Sequence, residues 1–159
     1  MLTQILIHHY DILTYSSLNI EPLKSLLTSM QEVGYDSKTI EETKGSIPYN
    51  PVTVLFLEFM VTVAVRNQDR IEVVWPYSVD YIFSVLKHAD KQSVLVVERT
   101  VVALLRLCIC FSGKENMQED ILRCLKVLRD FPPAVTLAVA EQMMAGIYSL
   151  SNANSENLK

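Results

Sequence analysis

Three cysteines, three histidines and a charged trio inside an apolar run are the residues of this chain with types suited to chemistry. Cys108 and Cys110 are two positions apart, which on a helix turns them about 200° from one another. They cannot share one metal ion unless the helix unwinds, although Cys124 is on the next segment and could approach either. Zinc takes four ligands, and His8, His9 and His88 have no ligand spacing. A cysteine nucleophile would need His88 beside it as a base and an oxyanion site nearby. No glycine-rich phosphate loop, Ser-His-Asp arrangement or close acidic pair accompanies these residues. The thiols read as reduced core cysteines of a cytoplasmic or nuclear protein, and no catalytic residue, metal or cofactor is assigned.

The charged trio is in SVLVVERTVVALLRLCICFS, residues 93–112. Arg99 and Arg106 are seven apart and share one face over two helical turns, while Glu98 is about 100° away around the helix. A helix apolar on nearly every side is sandwiched between neighbours. Glu98, Arg99 and Arg106 are therefore expected as structural ion pairs at the edge of a core, with a ligand-binding arginine as the alternative. A second pattern lies in ILRCLKVLR, residues 121–129. Ile121, Cys124, Leu125 and Leu128 occupy an arc of about 100°, and Arg123, Lys126 and Arg129 take the other side. Such a basic face can lie on an anionic membrane or be an ordinary solvated face. Asn67, Asp69 and Arg70 form a turn whose polar side chains can satisfy loose backbone groups. Trp75, the single tryptophan, is expected as a packing anchor at that junction.

Helices must position these residues. The chain has 159 residues, half of them hydrophobic and a fifth charged, which suits one globular domain. Four glycines and six prolines are too few for the tight turns of an all-β fold. A net charge of −4 argues against a nucleic-acid binder. Residues 1–80 hold five cations against ten anions, and residues 81–159 hold nine against eight, so an anionic partner would meet the second half. The start, MLTQILIHHYD, has no basic n-region and does not read as a secretory signal. PVTVLFLEFMVTVAV is too short for a membrane span and contains Glu58. The three charges of 93–112 cost roughly 2.5–3.5 kcal/mol each near a bilayer centre, enough to cancel most of the apolar gain.

Period and punctuation predict a succession of helical segments. These are 2–13; Ile20 to Val33 with Gly34 as stop; Pro51 to Arg66, capped by Asn50; Val74 or Pro76 to His88; Ser93 to Phe111; and 115–130, followed after Phe131-Pro132-Pro133 by a last helix from Ala134 to Ser149. The short 2–13 segment is the least regular of them. Residues 34–50 read as a mobile loop and 151–159 as a polar tail. The helices starting near 51, 93 and 134 recur at intervals of 42 and 41 residues, within the roughly 40–47-residue period of HEAT and armadillo repeats. The expected fold is all-α, a HEAT/armadillo-like α-α superhelix in a single domain over residues 1–159.

Three stretches carry a family resemblance: RNQDRIEVVWPYSVDYI (66–82), VVERTVVALLRLCI (96–109), and ENMQEDILRCLKVLRDFPPAVTLAVAEQMMAGIYSL followed by SNANSENL (115–158). In order and spacing they resemble the large Golgi Arf guanine-nucleotide exchange factors of the GBF/Gea/GNOM type, in the homology region downstream of the Sec-seven domain. The likeness covers about residues 52–158, follows weakly over 17–51 and hardly at all before that. CFSGKEN (110–116) departs from it, where a more basic, leucine-rich link is expected. The resemblance implies a fragment of a longer multidomain protein, with exchange catalysis in the Sec-seven domain and no catalytic residue here. It further implies a regulatory region, peripheral on Golgi membranes. The implied partners are phosphoinositides, a Golgi or lipid-droplet surface, other domains of the same exchange factor, or a small GTPase.

Overall fold

The computed structural model describes residues 19–156. The predicted helix 2–13, His8 and His9, and residues 157–159 lie outside them. Among the described residues the chain is all helix and connection, without a strand. The helices are α1 (Ile20–Gly34), α2 (Ser37–Glu42), α3 (Pro51–Arg66), α4 (Ile71–Leu86), α5 (Val94–Phe111), α6 (Gln118–Arg129), α7 (Pro133–Ala138) and α8 (Ala140–Glu156).

Local chemistry sets most of these boundaries. Asn50 Oδ1 accepts from the Val52 amide at 2.9 Å, with Pro51 opening α3. Ser93 Oγ accepts from the Val96 amide at 3.4 Å at the start of α5. Each cap satisfies a donor that the first turn leaves unpaired. At the end of α3 the buried Asn67 donates through Nδ2 to the Val63 carbonyl at 2.7 Å, and its Oδ1 accepts from Arg70 Nε at 2.8 Å.

Three boundaries differ from the sequence reading. Residues 34–50 are not a uniform loop. Asp36 accepts from the Lys38 and Thr39 amides and starts α2, and the Ile47 amide donates to the Lys91 carbonyl at 2.7 Å. Helix α4 starts at Ile71, with Pro76 inside it. Pro76 removes the amide that would pair with the Glu72 carbonyl, but both residues are exposed, so water can take that carbonyl. The last helix is interrupted at Val139, whose backbone leaves helical geometry while its side chain is fully buried. Beyond it, α8 continues through the expected polar tail to Glu156.

Helices α3, α5 and α8 pack side by side in that order, while α4 packs on α1, α3 and α5, and α6 on α5. Helix α5 thus has neighbours on several sides, and its Val96, Val101, Leu104, Leu107, Cys108 and Phe111 are buried in one core with Leu57, Met60, Val74 and Ile82. Burial of side chains this size contributes about 1.5–3 kcal/mol each. Trp75, 4% exposed, meets the Phe111 ring edge-on at 5.9 Å and 86°. No helix among the described residues is long and apolar enough to cross a membrane.

Candidate interaction surfaces

The charged trio of α5 is not in the core. Glu98 is half-buried, and Arg99 and Arg106 are exposed. Arg106 Nη1 faces Glu58 Oε2 of α3 at 3.9 Å, with both side chains about half exposed. Glu98 and Arg99 make no ion pair with each other or with another described residue. The core-edge pairs expected for Glu98, Arg99 and Arg106 reduce to one long surface contact, the kind worth little to stability. The reason lies in spacing. Leu95, Arg99, Val102, Arg106 and Cys110 are exposed and fall within about 80° of one another around the helix. Among the described residues no neighbour covers that stripe of α5, and the arginines reach water along it.

The thiols divide in the same way. Cys108 and Cys124 are buried and Cys110 is exposed, so Cys110 departs from the expected core set. Of the two cysteines in its reach, Cys124 approaches Cys108. A hydrogen bond with Cys124, together with burial, pushes the Cys108 thiol well above the ordinary range, which suppresses thiolate chemistry. No group of three His, Cys, Asp or Glu side chains among the described residues could hold a metal ion.

Helix α6 presents Arg123, Lys126 and Arg129 to solvent, with the exposed Leu122 beside them. Its opposite side buries Ile121, Cys124 and Leu128. Two of the three cations have local partners. The Arg123 guanidinium is 5.4 Å from the centre of the Phe83 ring of α4, a contact that orients the cation and leaves its charge in place. Arg129 Nε donates to Asp130 Oδ1 at 2.8 Å. That bond holds the Asp130 carboxyl below the usual range.

The link before α6 is fastened to the junction before α4. Lys114 Nζ donates to the Gln68 carbonyl at 2.6 Å, and Asn116 Nδ2 to Glu72 Oε1 at 2.6 Å. Lys114, in the stretch that departs from the expected basic link, is thereby occupied. Of the junction residues, Asn67 and Arg70 bond to one another, whereas Asp69 is exposed. Sequence reasoning missed the groove between α5 and α8. Only Gly146 could have signalled it, a glycine inside an otherwise helical pattern. A Cβ added there would come within 2.4 Å of Leu105 Cδ1.

Three curated proteins are similar to part of the chain. The Golgi-specific brefeldin A-resistance guanine nucleotide exchange factor 1 homolog of Caenorhabditis elegans is 30% identical over 106 residues, covering 66% of this chain and 5% of that protein. The ARF guanine-nucleotide exchange factor GNL1 of Arabidopsis thaliana is 26% identical over 108 residues, covering 67% and 7%. The ARF guanine-nucleotide exchange factor GNOM of Arabidopsis thaliana is 26% identical over 116 residues, covering 72% and 8%. The matched part is similar to a region of GBF/GNOM-like Arf exchange factors. The chain spans 5–8% of the length of these relatives. No protein-family model and no solved structure matches it.

Proposed function

We propose that this chain is a non-catalytic regulatory region of a GBF/GNOM-like Arf guanine-nucleotide exchange factor. In this reading it is part of a longer HEAT-like array and helps hold the exchange factor at Golgi membranes, where Arf activation drives vesicle traffic. What supports the reading is the exposed Leu122 set among Arg123, Lys126 and Arg129 on the outer side of α6, in a chain similar to such exchange factors. A cation near an anionic membrane contributes about 1 kcal/mol. Leu122 adds apolar contact at the depth of the headgroups. Three cations and one leucine give weak binding alone, which becomes useful when other parts of a long protein engage the same membrane.

Flotation of the chain with vesicles of phosphatidylcholine, with and without a phosphoinositide, tests the proposal. The triple variant Arg123→Glu, Lys126→Glu, Arg129→Glu is expected to lose the phosphoinositide-dependent fraction. Flotation unchanged by the triple variant sinks the membrane reading. Arf nucleotide release measured with the chain alone tests the non-catalytic part, and release above the uncatalysed rate would refute it.

A further inference from the structure

A groove of about 540 Å³ runs along the seam between α5 and α8. Its floor is apolar, with Val102, Leu105 and Ile109 on one side and Ala145 and Gly146 on the other. At Gly146 the α8 backbone sits directly on Leu105. The lips are charged and opposite in sign. On α5, Arg106 and Cys110 line the groove, and Arg99 is on the same exposed stripe, seven residues and about 10.5 Å along the axis from Arg106. On α8 the lip is Glu141. The exposed Tyr148 lies within about 20° of Glu141 around that helix. Arg99 has no carboxylate partner among the described residues, and the Glu58 contact of Arg106 is long and half exposed. Gln142 lines the groove with its Oε1 covered and without a donor among the described residues.

From this arrangement we infer that the α5–α8 groove docks an amphipathic helix of a separate protein. Its apolar stripe lies on the floor, acidic side chains seven residues apart face Arg99 and Arg106, and a basic side chain faces Glu141. The floor supplies apolar area without a fixed register. The two arginines supply register, because a carboxylate pair seven apart is the helical spacing that meets both at once. The opposite sign of Glu141 selects the direction in which the incoming helix lies. This site is on the α3–α5–α8 layer and shares no residue with the basic side of α6, so the two proposals stand or fall separately.

The test uses a fluorescein-labelled, lactam-stabilised peptide of about 18 residues, long enough to lie along both arginines once its helix is enforced. It carries leucines at i, i+4, i+7 and i+11, two glutamates seven apart on one edge and a lysine on the other. A control peptide has lysines in place of the glutamates. Fluorescence anisotropy with the whole chain is expected to saturate for the glutamate peptide below about 100 µM. Arg99→Glu with Arg106→Glu is expected to weaken it at least about tenfold and to gain binding of the lysine peptide. Coupling a bulky maleimide to Cys110, on the same lip, is expected to block binding. An unchanged Trp75 emission shows that the variant is folded. Equal binding of both peptides, no binding at about 100 µM, or indifference to the Cys110 adduct would overturn the inference. A concentration-dependent dimer of the chain that the double arginine variant abolishes would overturn it too, since the occupant would then be a second copy.

Discussion

The Tyr81 hydroxyl of α4 is 3.2 Å from the Gly34 carbonyl at the end of α1. It is also 3.0 Å from the Thr53 carbonyl of α3. One buried phenol therefore joins three helices, and it serves a carbonyl that the last turn of α1 leaves unpaired. Tyr81→Phe keeps the ring and removes the single donor that the two carbonyls share, leaving Gly34 with only the long 3.4 Å bond from Thr53 Oγ1. It should cost about 1–3 kcal/mol by urea denaturation, and a loss under about 0.5 kcal/mol would mean that water already serves those carbonyls.

The same phenol predicts a pH response. Burial, and then the neighbouring Tyr35, raise the Tyr81 proton affinity above that of an ordinary phenol, which ionises near about 10. Above that pH the unfolded chain gives up a proton that the folded chain keeps. The contribution of Tyr81 to stability is complete below about pH 10 and is lost as the pH rises further. Tyr81→Phe should therefore show a shallower decline of stability with pH in that range than the parent. Parallel slopes would remove Tyr81 from the cause.

Gly146 touches Leu105 so closely that a Cβ would sit 2.9 Å from the Leu105 Cβ. In an exposed helix, Gly→Ala gains about 1 kcal/mol of propensity. At Gly146 the sign should reverse, with Gly146→Ala destabilising the fold by about 1–3 kcal/mol as α8 is pushed from α5. Leu105→Ala keeps its own Cβ but removes the Cγ and Cδ1 that an added Cβ would also meet, so the double variant should lose less than the two single losses added together. Additive losses would show that the contact is not shared.

Asn67 and Asp69 are two residues apart and should behave differently. Asn67 is fully buried and bonds to the Val63 carbonyl and to Arg70. Its change to Ala should cost about 1–3 kcal/mol, since Arg70 loses this buried acceptor and the Val63 carbonyl keeps only the backbone amide of residue 67. Asp69 is exposed, and Asp69→Ala should stay within about 0.5 kcal/mol of the parent. Thermal denaturation of the pair of variants decides, and equal losses would contradict the geometry.

Thiol titration separates the cysteines. In the native chain a soluble disulfide reagent at neutral pH should react with Cys110 alone, because Cys108 and Cys124 are covered and share a hydrogen bond. After denaturation all three should react. Rapid native reaction at Cys108 would place that thiol in contact with water.

Much of the fold was legible in local chemistry. Asn50-Pro51 and Ser93 mark helix starts through side chains that reach only two or three residues along. The short α2 was also within reach, since Asp36 followed by Lys38 and Thr39 is a capping arrangement. It was overlooked because six residues carry no apolar stripe long enough to register as a period. The candidate site was less legible. The basic side of α6 was visible, but the contact of Arg123 with Phe83 was not, because Phe83 comes from another helix.

What the sequence determined by itself is the helical content and most of the boundaries. Helix hydrogen bonds close over four residues and apolar periods over one or two turns, so the information is near at hand in the chain. Only the tertiary structure decided which side of α5 stays open. That side is whatever α3, α4, α6 and α8 leave uncovered, and it depends on contacts between residues far apart in sequence, such as Leu105 with Gly146. The same packing carried Arg99 and Arg106 from an expected core edge to the rim of a groove.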